Sequence, residues 1–230
     1  MTDPLAGSPW SRPDTVAGFV ASPPNNTLLR FAGDELSRAP RGRALDLGCG
    51  AARNAVPLAA QGWHVLGLDL SLPMLQAARD RARLDGGARD RVRLALAPMD
   101  RLPVRDESCD LVIAHGIWNL ARSGAEFRAA VREAARAATA GAALFVFTFS
   151  RHTLPAEAQP ISGETFVFTQ FSGERQCFLT EEQLVRELEA AGFVRDAAVP
   201  LRELNRPEPG ALMATRAPVI LEGLFRRLRD

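Results

Sequence analysis

The sequence predicts an α/β fold: a doubly wound, mostly parallel sheet with helices on both faces. Three observations carry this. From residue 44 onward, short apolar runs alternate with segments of helical spacing. The runs are apolar throughout, not at every second residue, as strands covered on both sides require. The first run ends in glycines that lead directly into a helix.

The elements follow in order. Residues 1–27 are rich in Pro, Ser, Gly and Asn and read as an irregular arm, with Trp10, Val16, Phe19 and Val20 as docking points. Ser22-Pro-Pro-Asn25 reads as a linker turn. A helix is expected over Asn26–Ser37, then a connector, Ala39–Arg43. Ala44–Leu47 is the first strand, and Arg53–Gln61 a helix stopped by Gly62. His64–Asp69 is the second strand, and Ser71 caps the next helix, with Pro73 tolerated in its first turn. Gly86-Gly87 ends that helix before a third strand, Val92–Ala97. Asp110–His115 is the fourth strand. Ser123-x-x-Glu126 is a capping box for a helix running to about Thr139 and stopped by Gly141. Leu144–Phe149 is the fifth strand. Thr180-x-x-Gln183 is a second capping box, and Gly192 ends its helix. Two late strands, Phe193–Leu204 and Pro218–Phe225, are joined by the loop Asn205–Gly210, which suits an antiparallel pair. The division expected is an N-terminal arm and helix over 1–40 capping the site, and one domain over 41–230.

Composition narrows the chemistry. All 28 basic side chains are arginine, and lysine and tyrosine are absent. Schiff-base enzymes and Walker P-loops need that lysine. A net charge of +1 gives no electrostatic reason to expect nucleic acid. Cys49, Cys109 and Cys177 are odd in number and widely spaced, so neither a disulfide framework nor a zinc site is expected. No signal peptide or membrane span is evident, and a cytoplasmic monomer or homodimer is the default expectation.

The informative segment is Asp46-Leu-Gly48-Cys49-Gly50-Ala-Ala52-Arg53-Asn54. The glycines let the backbone turn sharply and bring a ligand against main-chain N–H groups at a helix start. Asp46 points into the same space. It would repel the pyrophosphate of a dinucleotide but attract an ammonium group. Asp69, at the end of the second strand, can accept from two ribose hydroxyls. Asp100 follows the third strand and can meet an adenine amino group, with Met99 or Leu70 packing on the ring. His115 ends the fourth strand as a candidate general base. Trp118 beyond it is a candidate pocket wall.

This constellation resembles the class I S-adenosylmethionine-dependent methyltransferases. Asp46-Leu-Gly48-Cys49-Gly50-Ala-Ala52 is similar to their acidic-x-G-x-G-x-G motif, with alanine at the third glycine. Asp69 resembles their ribose acid, Asp100 their adenine-edge acid, and Cys109-Asp-Leu-Val-Ile-Ala-His115 their fourth segment. The resemblance implies a Rossmann-like sheet of seven strands whose last strand is antiparallel beside the fifth, S-adenosylmethionine as cofactor, and methyl transfer to a small-molecule acceptor. It implies contacts from Asp46, Gly48, Cys49, Gly50, Asp69, Leu70, Met99, Asp100 and His115, with Arg53 meeting the cofactor carboxylate. Gly50-Ala-Ala-Arg53-Asn54-Ala resembles thiopurine- and tellurite-type and quinone or natural-product members. The metal-dependent catechol type uses a lysine this chain lacks, so no metal is expected.

Residues 150–178 hold Phe166, Phe168, Phe171 and Phe178, with Arg151, His152, Gln170 and Arg175 between them. So long a connection suits a lid, and a hairpin turning at Ser172-Gly173 packs its own aromatics. Phe168 and Arg175, with Trp118, are the candidate acceptor-pocket residues. The rival readings are a non-catalytic member that keeps the cofactor pocket and an NAD-dependent oxidoreductase.

Overall fold

The computed structural model describes residues 2–39, 41–206 and 217–229. In chain order the elements are α1 (Pro13–Ala21), α2 (Asn26–Leu36), β1 (Arg43–Leu47), α3 (Ala55–Gln61), β2 (His64–Asp69), α4 (Leu72–Leu84), β3 (Val92–Leu96) and β4 (Cys109–His115). There follow α5 (Gly124–Ala137), β5 (Ala138–Phe149), β6 (Val167–Phe168), β7 (Gln176–Cys177), α6 (Glu181–Glu189), β8 (Phe193–Arg195), β9 (Arg202–Leu204) and β10 (Ile220–Arg227). Short 3-10 turns lie at Pro9–Ser11, Trp118–Leu120 and Arg151–Thr153.

The main sheet runs β3-β2-β1-β4-β5-β10-β8, seven strands in order, with β9 also paired to β10. The strands β3, β2, β1, β4 and β5 are mutually parallel, and β10 runs antiparallel to β5. The carboxyl ends of the parallel strands therefore share one edge, where open α/β sheets bind ligands. One face is packed by Phe127, Val131 and Leu188 from α5 and α6, the other by Leu28, Phe31 and Leu58 from α2 and α3. Each such side chain, fully buried, contributes about 1.5–3 kcal/mol. The two-faced burial explains why β4 reads as one apolar run.

The capping chemistry holds in detail at α4 and α6, and α2 gains a cap the sequence did not announce, from Asn25. Asn25, Ser71 and Thr180 each accept from a backbone N–H in the first turn, and Thr180 and Gln183 close a full capping box. Four expectations change. The arm is not irregular: Pro13 fixes φ at a first helical position and starts α1. The helix after the glycine loop begins at Ala55, because Ala52 at φ 58° keeps the loop left-handed for longer. Glu126 closes only half a box, since its carboxylate accepts from Arg122 N at 2.7 Å. Gly141 does not stop α5, which ends at Ala137. It lies in β5 at φ 79°, where the pairing with β4 jumps from Cys109↔Ala138 to Leu111↔Ala143.

The last strands also differ. The expected strand Phe193–Leu204 is two pieces, β8 and β9, set end to end along β10. Asp196 and Pro200 interrupt the run. Much of the expected loop Asn205–Gly210 lies outside the described residues. Within residues 150–178, β6 and β7 form the expected antiparallel hairpin, with Gly173 at φ 83° in the turn. Among the described residues no helix is long and apolar enough to cross a membrane.

Candidate functional site

The site is built on the carboxyl ends of β1, β2 and β4. Gly48 and Gly50 adopt φ of 64° and 52°, a region open to glycine at no steric cost. Space is as restrictive as torsion. A Cβ on Gly48 would stand 2.7 Å from Ile117 Cδ1, and one on Gly50 would stand 3.1 Å from the Phe19 ring. Cys49 is buried and its thiol is pushed well above its ordinary range by that burial and by Asp46 and Asp69.

Asp46 lies in β1 between Gly67 and Ile113. It is buried, and its Oδ2 has no hydrogen-bond partner among the described residues. Burial pushes its carboxyl up to about 7, opposed by the Arg53 charge and assisted by Asp69. A buried acceptor with no donor is costly unless a ligand supplies one. Asp69 differs. Its two oxygens accept from Gly50 N at 2.9 Å and Ser71 N at 2.8 Å, which clamps the glycine loop to the start of α4. Burial raises its carboxyl, and these N–H groups offset part of the rise. Each oxygen keeps a lone pair for a hydroxyl.

His115 is enclosed. Its ring stacks on Phe147 at 4.1 Å and 8°. Nε2 lies 3.3 Å from Asn25 Nδ2, and Nδ1 lies 3.2 Å from an Arg53 guanidinium nitrogen. Burial, then the Arg53 charge, takes the imidazole down to about 3. A ring so held is neutral at pH 7 and a weaker base than an ordinary carboxylate, which argues against the proton-acceptor role the sequence suggested. Arg53 also donates to Pro23 O at 3.3 Å.

The remaining candidates are spread out. Leu70 and Met99 are half-buried, and Asp100 is exposed with no hydrogen bond among the described residues. Trp118 is fully buried against Phe127 at 5.9 Å, and its indole N–H finds no acceptor among the described residues. Phe168 packs on Phe178 at 6.0 Å beneath the Arg151 guanidinium. Phe149 and Phe171 complete that cluster. Arg175 is exposed at the hairpin turn. The structure therefore gathers Asp46, Gly48, Cys49, Gly50, Arg53, Asp69 and His115, and sets Trp118, Phe168 and Arg175 in three different surroundings.

Two residues that matter escaped the sequence reading. Asn25 is no mere linker residue. It caps α2 and donates to Glu222 Oε2 at 2.8 Å. Glu222, buried in β10, lies in one register row with Phe147 and His115 on one side and Arg202 on the other. The signal was there: Glu222 is the lone charge in the apolar run Pro218–Phe225. The N-terminal segment also lies across the β2 end. Asp3 accepts from Leu72 N at 3.1 Å, and Trp10 O accepts from Ser71 Oγ at 3.1 Å.

Comparison with known proteins adds a second line of support. A family profile described as a methyltransferase domain matches residues 45–146. A demethylmenaquinone methyltransferase of Corynebacterium urealyticum is 30% identical over 193 residues, covering 73% of this chain and 78% of the relative. Among solved structures, an S-adenosylmethionine-dependent methyltransferase of Methanosarcina mazei superposes with a TM-score of 0.65 at 22% identity, covering 82% of this chain and 93% of the other. The Burkholderia thailandensis 1,6-didemethyltoxoflavin-N1-methyltransferase, solved with S-adenosylhomocysteine, gives 0.63 at 18% identity, covering 87% and 78%. At these identities the structural likeness is one of fold.

Proposed function

Because this chain belongs to the S-adenosylmethionine-dependent methyltransferases, enzymes that methylate small molecules from that cofactor, we propose that Asp46 receives the cofactor's ammonium group and Asp69 its ribose hydroxyls. The observation that carries this is the buried, unpartnered Asp46 Oδ2 beside a left-handed glycine loop. An ammonium there supplies the missing donor and neutralises the charge. The backbone of Gly48, Cys49 and Gly50 shapes the cradle, Leu70, Met99 and Asp100 border the adenine, and Arg53 faces the terminal carboxylate. Asp46 repels a pyrophosphate, so the nicotinamide alternative loses its ground.

When bound, the cofactor supplies a methyl group already activated on a sulfonium. The chain's own residues then have mainly to hold two reactants in line, and such alignment can lower a barrier by about 7–11 kcal/mol. We place the acceptor over the β4 and β5 ends, beneath the Phe149, Phe168, Phe171 and Phe178 cluster. Its class in this reading is an aromatic or quinone-like ring. Support comes from that apolar cluster and from the likeness to demethylmenaquinone methyltransferases. Trp118 packs in the core away from this cluster, and Arg175 lies at the hairpin tip that would border the acceptor. The balanced surface charge suits a cytoplasmic enzyme with no nucleic-acid partner.

Calorimetry with S-adenosylhomocysteine against NADH tests the cofactor site. Heat from the first alone is expected, and the reverse would overturn the reading. A methyl-transfer assay on reduced demethylmenaquinone tests the acceptor class. No turnover there, with turnover on a non-aromatic acceptor, would refute it.

A further inference from the structure

The end of β5 carries a second histidine, in surroundings unlike those of His115. Ser150 follows β5 directly, and the turn Arg151–Thr153 holds His152. His152 Nδ1 lies 2.6 Å from Glu203 Oε1 of β9. The buried Ser150 Oγ donates to the same oxygen and accepts from His152 N at 3.1 Å. Arg206 donates to Glu203 Oε2 at 3.0 Å. Burial pushes the Glu203 carboxyl up, but the hydrogen bonds from His152 and Ser150 outweigh it and leave the group below its ordinary range. An ionised carboxylate only accepts, so the hydrogen between the two side chains belongs to His152 Nδ1. That holds for the neutral ring and for the imidazolium alike. Nε2 is therefore the atom that gains and loses a proton. It has no hydrogen bond among the described residues, and the side chain is 48% exposed.

The pair borders the space assigned to the acceptor. Phe149, one residue before Ser150, packs with Leu154, Phe168 and Phe178. The Arg151 guanidinium lies over the Phe168 ring at 5.1 Å, and Thr153 Oγ1 donates to Val219 O at 3.0 Å. The turn is thus fastened on both sides, with His152 at the rim of the aromatic cluster. We infer that His152 is the general base for a hydroxylated aromatic acceptor, and that Glu203 is a positioning residue that fixes its ring and tautomer. The inference rests on the methyltransferase reading and names the proton acceptor within it. The acceptor's O–H bond breaks, and the proton goes to Nε2. The oxygen, or the ring carbon conjugated to it, bonds to the methyl group as the methyl–sulfur bond breaks, and that electron pair stays on sulfur. When carbon attacks, the ring hydrogen leaves as a proton and the oxygen regains one, so the balance is the same. The half-exposed imidazolium then gives its proton to water. The charged groups around His152 are Glu203 and Arg206 on the β9 side and Glu182 at the start of α6, while Arg195 of β8 is paired with Glu181.

Nitrogen-15 NMR of the ligand-free native protein, which has three histidines, tests the tautomer. The neutral ring whose signals vanish in His152→Gln is expected to hold its hydrogen on Nδ1, and a hydrogen on Nε2 overturns the inference. Para-nitrophenol then reports the proton transfer, because its ionised form absorbs at longer wavelength. In native protein saturated with S-adenosylhomocysteine, below the pH at which the free phenol ionises, binding is expected to give the phenolate spectrum. His152→Gln is expected to bind S-adenosylhomocysteine as tightly and to leave the phenol neutral. A neutral phenol with the native protein, or phenolate with both, overturns the base. With reduced demethylmenaquinone, His152→Gln should lower kcat by about 10²- to 10⁴-fold and abolish the acid limb of the native pH profile. Glu203→Gln should keep that limb and move it to lower pH, since the imidazolium loses its carboxylate. A limb left in place would make Glu203 merely structural and overturn its positioning role. Equal kcat in native protein and His152→Gln likewise overturns the inference. Native protein that binds no S-adenosylhomocysteine would refute the methyltransferase reading instead, while leaving the tautomer assignment standing.

Discussion

Asp46→Asn separates what this carboxylate does for binding from what it costs the fold. Its folded value is about 7 against an ordinary 3.8. Below pH 4 both folded and unfolded chains hold the proton, and the carboxyl is neutral. As pH rises from 4 to 7 the unfolded chain releases it and the folded chain does not, so stability falls. Above 7 the loss is complete, at about 1.4 kcal/mol per unit over roughly three units, or about 4 kcal/mol. Asparagine removes the charge but leaves a buried amide with an unmet donor, which returns about 1–3 kcal/mol of the gain. The ligand-free variant is therefore expected to be about 1–3 kcal/mol more stable than the native protein at pH 8, with the advantage gone by pH 4. Urea melts at the two pH values measure this. Binding moves the other way. Losing a charge-assisted contact to the ammonium costs about 1.5–3 kcal/mol, so S-adenosylhomocysteine is expected to bind about 10- to 150-fold more weakly. A variant that is less stable at pH 8 and binds as tightly as the native protein would refute the assignment.

Other outcomes follow from the same geometry. Native affinity for S-adenosylhomocysteine should fall about tenfold per pH unit below 7, because the ammonium prefers ionised Asp46, and the Asn variant should lose this slope; calorimetry between pH 8 and 5.5 measures it. Asp69→Ala frees the Gly50 and Ser71 N–H groups and should weaken the same ligand by about 1–3 kcal/mol. Unchanged affinity would mean the ribose lies elsewhere. Gly48→Ala meets Ile117 and a left-handed torsion together, and should lower thermal stability by about 1–3 kcal/mol. Phe19→Ala uncovers Gly50 and should speed S-adenosylhomocysteine release in stopped-flow experiments.

The sheet was legible because strands buried on both faces leave long apolar runs, and because Ser71, Thr180 and Gly62 mark helix ends by local chemistry. The turn at Gly48 and Gly50 was legible because positive φ at a strand-to-helix turn calls for glycine, and Asp46 and Asp69 stood out as carboxylates at or near strand ends. What stayed hidden was long-range. Nothing local says that Asn25 will face Glu222 or that Arg53 will reach His115. The base suggested for His115 rested on residue type and its place at the end of the fourth strand, and its surroundings of Phe147, Arg53 and Asn25 could come only from the assembled fold. Trp118 read as a candidate pocket wall, and the structure buries it in the core.

Residue 25 meets residue 222, 197 positions later. During synthesis Asn25 emerges well before its partners on β4 and β10, and the last of them follows only 197 residues later. The cap of α2 is local and needs only Leu28, but the setting of the Asn25 amide against His115 and Glu222 waits for β10. The surroundings of His115 are thus among the later parts of the described fold to form, and a nascent chain stalled before β10 lacks the Glu222 contact that holds Asn25.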